Sequence, residues 1–128
     1  YPELVDRLIV WGANLYPSGV KNIALIPIKI LRKIVDLISK IDIRAKLHSE
    51  KLALVTNEPY ISETELEKIH AKTLILSGTH DIIKTEHTRL ISRCIPKAKL
   101  CLIPGGHFIS SRKPKIFNKA VLNFLEEK

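Results

Sequence analysis

The sequence predicts an α/β domain built on a parallel sheet, and three observations lead there. Leu8-Ile9-Val10-Trp11-Gly12, Leu74-Ile75-Leu76 and Leu100-Cys101-Leu102-Ile103 are short, continuous apolar runs. Such runs mark strands covered on both faces, the pattern of parallel sheets. Helical-period stretches follow the second and third runs, so strand and helix alternate. Each run also breaks into a turn that contains glycine. Strands are therefore expected at about 6–12, 72–78 and 99–104.

The first two strands are separated by residues 13–72, far more than the dozen or so that a crossover needs. The segment carries helices of its own. Residues 27–40 place Ile30, Leu31, Ile34, Leu37 and Ile38 on one side, with Lys29, Arg32, Lys33, Asp36 and Lys40 opposite. A second helix is expected near 45–55. Ser62 and Glu65 form a capping box for a third, which brings Leu66 and Ile69 inward. A helical insertion at strand ends lies where a lid would lie. A satellite bundle that only packs is the other reading.

After the second strand, residues 85–95 put Leu90, Ile91, Cys94 and Ile95 on one face, and Pro96 stops the helix. After the third, Pro114 suits a first helical turn. Ile116, Phe117, Ala120, Val121, Phe124 and Leu125 then recur as a core-facing stripe.

The chain has 128 residues, 45% hydrophobic and 27% charged, which is enough for one ordinary domain with a real core. No apolar run reaches the roughly 18 residues of a membrane span. Nor is the N-terminus a signal peptide. The chain begins at Tyr1 and contains no Met, so it is expected to be a processed, cut or incompletely described chain. Cys94 and Cys101 make neither a disulfide framework nor a zinc site. Both are expected to be buried thiols in a reduced, cytoplasmic setting. The net charge is +8, but the bases are spread as the polar sides of helices, without interleaved aromatics, and nucleic acid is not the expected partner.

The residues with chemistry sit at strand ends. Asp81 follows the second strand in a Gly-Thr-His-Asp turn, and His107 follows the third after Gly105 and Gly106. Taken singly, Asp81 reads as a turn aspartate and His107 as a structural histidine. Together, at the carboxyl ends of adjacent strands, they lie where open α/β sheets place ligands. An ionised Asp81 would orient the imidazole, which could then act as general base and acid. His48, His70, His80 and His87 have no metal-ligand spacing and are expected to be surface or core residues.

Ile75-Leu76-Ser77-Gly78-Thr79-His80-Asp81 resembles the seventh strand and acid turn of the α/β-hydrolase superfamily. Pro104-Gly105-Gly106-His107-Phe108 resembles the histidine loop after its eighth strand. Val10-Trp11-Gly12-Ala13-Asn14 resembles the end of its sixth strand, with a cap inserted after it. The resemblance implies a partial α/β-hydrolase fold, the C-terminal half. Residues 1–14 would be the sixth-strand region, 15–66 the cap and 67–128 the core with the acid and histidine loops. It implies Asp81 and His107 as catalytic residues of an esterase-like hydrolase, with Asn14, Tyr16, Ser18, Ile82 and Phe108 on the substrate side. It implies a small apolar ester-like substrate and no cofactor.

No G-x-S-x-G elbow occurs in the chain. Ser77, Ser110 and Ser111 lack an elbow context, and Ser18 lies in a turn. The nucleophile and oxyanion hole are expected on residues preceding Tyr1, and the isolated chain is expected to be inactive. Relatives with an aspartate nucleophile leave the reaction subclass open. The first strand, with no inward charge and no Pro, should pair with a missing N-terminal half or a second copy. Two other readings stay open: a non-enzymatic module that self-associates through that edge, and a basic domain binding RNA or lipid.

Overall fold

The computed structural model of this protein describes residues 2–127. Its three strands are β1 (Arg7–Trp11), β2 (Lys72–Gly78) and β3 (Ala98–Ile103). They form one parallel sheet in the order β1-β2-β3, with Val10 opposite Ile75 and Leu76 opposite Cys101. The insertion holds α1 (Asn22–Ile38), α2 (Ile43–Asn57) and α3 (Glu63–Leu66). Then come α4 (Thr85–Cys94), α5 (Ile109–Arg112) and α6 (Pro114–Glu126).

The pleat of β2 divides the core in two. Ile75 joins Leu15, Leu66, Ile91 and Ile95 on one face of the sheet. Leu74 and Leu76 join Ile103, Ile109 and Phe124 on the other. A strand between two helical layers must be apolar at every position, which is why β2 shows no alternation. Leu76 is 0% exposed. Leu76→Ala should therefore lower unfolding free energy by about 2–5 kcal/mol, read from the urea midpoint. A loss below about 1 kcal/mol would contradict this packing.

β1 has the edge position expected of the first strand but is less covered than its apolarity suggested. It lies at the sheet edge, paired with β2 alone among the described residues, and Ile9 and Trp11 are 36% and 39% exposed. Two-faced apolarity was expected to mean burial on both faces; here part of that surface meets solvent. Arg7 ties β1 to the end of α6. Its Nη1 and Nη2 donate to the carbonyls of Phe124 and Glu127, each at 2.6 Å, where a helix C-terminus favours a cation.

The helices bring four further corrections. α1 starts at Asn22, five residues before Pro27, so the proline sits inside the helix rather than opening it. Pro27 is on the solvent side, where the carbonyl it leaves unpaired can meet water. In α6, Phe124 is buried and Phe117, Ala120 and Val121 pack beside it, but Ile116 and Leu125 are exposed. α5 was not expected at all; it is a single turn between the histidine loop and Pro114. Cys94 and Cys101 are free, as expected, but only half-buried. The capping box at α3 is present: Ser62 Oγ accepts from the Glu65 amide, and the Glu65 carboxylate accepts from the Ser62 amide. No helix among the described residues is long and apolar enough to cross a membrane.

Candidate active site

The acid and histidine turns are joined before their side chains meet. β2 and β3 run side by side to Gly78 and Ile103. Beyond them the Thr79 amide donates to the Ile103 carbonyl at 3.0 Å, and the His80 amide to the Gly105 carbonyl at 2.8 Å. Gly78 permits this approach, because a Cβ there would lie 2.4 Å from the Gly105 oxygen and 2.5 Å from the Gly106 oxygen. Of the two glycines before His107, Gly105 has a positive φ, but Gly106 does not and has room for a Cβ.

On this base Asp81 and His107 face each other. His107 Nδ1 lies 2.8 Å from Asp81 Oδ1, with the carboxyl side chain 1% exposed and the imidazole 26%. Asp81 Oδ1 also accepts from the Ile83 amide at 3.1 Å, and Oδ2 from the Gly78 amide at 3.3 Å and Ser77 Oγ at 3.2 Å. Burial pushes this carboxyl upward. The Ile83 amide, the hydrogen bond and charge of His107, and the Gly78 amide outweigh it, so the net shift is below the ordinary carboxylate value. A buried anion with this many donors is prepared to hold one imidazole tautomer, with Nδ1 protonated and Nε2 left as the basic nitrogen. Nε2 makes no hydrogen bond among the described residues.

Two neighbours that sequence reasoning missed complete the imidazole's setting. Trp11 stacks against it, with ring centroids 6.2 Å apart and 28° between planes, and Phe117 meets Trp11 edge-on at 5.7 Å. Gly12, at φ +59°, sits under the ring, where a Cβ would lie 2.8 Å from His107 Cε1. The signal was available: a Trp-Gly pair at a strand's carboxyl end is where a side chain can reach a neighbouring loop.

The substrate-side candidates do not gather at one place. Phe108 lies at the pair, edge-on to His107 at 5.4 Å and 60% exposed. Ile82 packs instead beside Val20, Leu25 and Ile83. Asn14 donates to the Tyr16 carbonyl at 3.1 Å and shapes its own loop. Tyr16 and Ser18 line an open groove of about 640 Å³ between the insertion's helices, whose walls include neither Asp81 nor His107. Ser77, which lacks an elbow context, donates to the acid.

The start of the insertion is strapped to the acid turn. Val20 and Ile83 form an antiparallel bridge, and Lys21 Nζ donates to the Asp81 carbonyl at 2.6 Å. His87 supports the same strap from within. It is buried, its Nε2 accepts from the Leu15 amide at 2.8 Å, and Tyr16 meets its ring edge-on at 4.6 Å. Only neutral imidazole can accept that bond, and burial, with the charge of Lys84, holds its pKa below 6.5. The folded state therefore binds less proton here than the unfolded chain. The stability from His87 is complete above about pH 6.5 and is lost as pH falls through the folded value, at no more than about 1.4 kcal/mol per pH unit. Urea midpoints should fall between pH 7.5 and pH 5, and His87→Gln should flatten that slope; an unchanged slope would contradict the assignment. His48, His70 and His80 are exposed.

No protein-family model matches the chain. Solved structures match it over nearly its whole length. The meta-cleavage product hydrolase CumD from Pseudomonas fluorescens superposes with a TM-score of 0.67 at 21% identity, over 98% of this chain and 57% of its own. The serine hydrolase CarC, involved in carbazole degradation, gives 0.68 at 20% identity, over 98% of this chain and 55% of its own. An α/β-hydrolase enzyme from a lagoon-sediment metagenome at Mar Chica gives 0.66 at 23% identity, over 98% and 52%. These likenesses establish the fold: the chain has part of the α/β-hydrolase architecture. It spans between half and three fifths of the length of these proteins.

Proposed function

We propose that this chain supplies the acid and the histidine of a hydrolase triad, within the C-terminal half of an α/β-hydrolase. The carrying observation is the 2.8 Å contact between His107 Nδ1 and a buried Asp81 carboxylate. In this reading the nucleophile, with Ser before Asp or Cys, and the oxyanion hole come from polypeptide outside these 128 residues. His107 Nε2 takes the proton of the attacking hydroxyl as it bonds to the substrate carbonyl carbon. The same nitrogen returns the proton to the leaving oxygen or amine as the tetrahedral intermediate collapses. Asp81 stays ionised throughout and stabilises the imidazolium. Trp11 and Phe108 wall the imidazole, which favours a small apolar ester-like substrate. Residues 15–66 act as the cap.

The experiment is turnover of short 4-nitrophenyl esters by this chain alone and by the protein with its preceding coding sequence. The longer protein should hydrolyse the ester and be labelled by a fluorophosphonate, and the 128 residues alone should do neither. Equal activity of the two forms would overturn the division of labour. Inactivity of a folded longer protein toward ester, amide, epoxide and haloalkane substrates would overturn the enzymatic reading.

The free edge of β1, with Ile9 and Trp11 only partly covered, also supports a pairing partner for that edge in the working protein: the remaining half of the fold or a second copy. Light scattering separates these, because a monomer at micromolar concentration excludes the second copy.

A further inference from the structure

Helix α1 leaves most of its apolar side chains uncovered, although Leu25, Ile28 and Val35 turn inward. Its charged Arg32 and Asp36 face the hairpin partner: Arg32 Nη1 donates to Thr56 Oγ1 and Asn57 Oδ1 at 2.9 Å, and Asp36 Oδ1 accepts from Ser49 Oγ. Leu25, on the same inward side, is buried against Val20 and Ile83. The outward face is also apolar. Ile23, Ile26, Ile30, Ile34 and Leu37, with Ile41 just beyond the helix, follow the i, i+3, i+4 spacing of a single stripe. They are 83%, 54%, 55%, 53%, 66% and 93% exposed, and Leu31 and Ile38 widen the stripe at 50% and 48%. The helical period alone does not say what this stripe faces; in the structure it faces solvent. Such contiguous apolar surface marks an interaction site.

The chemistry beside the stripe points to its occupant. Lys29, Lys33 and Lys40 run down one flank at helical spacing, and none forms an ion pair among the described residues. Across residues 22–57 there are seven basic side chains against three acidic ones. Of those three, Asp36 is engaged by Arg32 and Ser49, and Asp42 by the Arg44 amide. No acidic residue lies within the stripe. An apolar face bordered by unpaired lysines is the pattern of a helix lying in the plane of a membrane interface, its aliphatic side chains among acyl chains and its cations at anionic headgroups. Antiparallel pairing of two copies through this face would instead set the two lysine columns side by side. RNA would engage the lysines but leave the stripe in water.

We infer that the outward face of α1 docks this protein on an anionic lipid surface. The inference does not rest on the hydrolase reading, and the remaining half of the fold is a competing occupant: if the 128 residues bind the vesicles but the protein with its preceding coding sequence does not, that half covers the face and the inference is overturned.

The test is co-sedimentation of the 128-residue chain with vesicles of phosphatidylcholine alone and of phosphatidylcholine mixed with phosphatidylglycerol. Binding should require phosphatidylglycerol and weaken steeply with salt. Ile30→Asp with Ile34→Asp should weaken it by about tenfold or more, as should Lys33→Glu with Lys40→Glu. All four positions are on the outer surface, and far-UV circular dichroism verifies that each variant keeps its fold; the lysine pair stays informative if the isoleucine pair does not fold. No binding to the anionic vesicles overturns the inference. So does binding that the folded variants leave unchanged. A dimer in light scattering that Ile30→Asp dissolves, with no vesicle binding, assigns the face to a second copy and also overturns it.

Discussion

In the hydrolase proposed above, Asp81→Asn is expected to lower kcat/KM for ester hydrolysis by on the order of 10³–10⁴-fold, with the change in kcat. The reason lies in the hydrogen-bond pattern around one carboxyl group. Oδ1 accepts from the Ile83 amide and faces His107 Nδ1, while Oδ2 accepts from the Gly78 amide and Ser77 Oγ. Each oxygen already meets a backbone donor. An asparagine must therefore turn its NH₂ toward an N–H, whichever way it is placed, and that leaves buried donors opposed. If the NH₂ faces His107 it also selects the tautomer with Nδ1 bare, and Nε2 is then no longer basic. A stability loss of about 1–3 kcal/mol should accompany the loss of turnover. Urea denaturation separates the two, because a protein that is still folded at the assay temperature isolates the chemical effect. Near-normal turnover by Asp81→Asn would remove the acid from the mechanism.

The same carboxyl contributes to the loss of stability in acid. Its folded pKa is below the reference 3.8, so the stabilisation it confers is whole above that value and disappears as pH falls through the folded one. The Asp81→Asn variant should not show this acid-range loss. The contribution of His87 begins to fall at higher pH, below 6.5.

Gly78→Ala is expected to cost about 3 kcal/mol and to pull the histidine away from the acid. The added methyl group would meet two backbone oxygens, of Gly105 and Gly106, which no side-chain rotation can move aside. The histidine turn has to retreat from the acid turn, and the His80–Gly105 hydrogen bond and the Asp81–His107 contact go with it. The measurements are the urea midpoint and the hydrogen-bonded Nδ1 proton of His107 by NMR. Gly106→Ala is the internal control, since its Cβ would find its nearest atom at 3.6 Å, an ordinary contact, and should cost little. Equal effects at the two positions would mean that the turns do not meet as described.

The three strands were legible because each is a run of apolar residues that ends in a glycine turn, a local pattern that survives in any context. The Asp81–His107 pair was legible for a related reason. Parallel neighbours end at the same edge of a sheet, so residues just past β2 and β3 must be close. Ser62 and Glu65 announced their helix because a capping box is satisfied within four residues. Trp11, Gly12 and Ser77 were missed as site residues because their roles depend on atoms supplied by other segments. That Ile82 packs beside Val20, Leu25 and Ile83, and that Asn14 donates to the Tyr16 carbonyl, was not legible because their position in the chain did not say which way the loop would turn them.

What the sequence by itself determined is the alternation of strands and helices and the two turns that carry an acid and an imidazole, since periodicity and turn chemistry act between near neighbours. What only the tertiary structure decided is which apolar surfaces are covered. A stripe of Ile and Leu reads the same whether it lies against a core or faces outward, and α1 faces outward because Arg32, Asp36 and Leu25 find their partners on its other side. Burial depends on what lies opposite in space, and spacing along one helix carries no record of that.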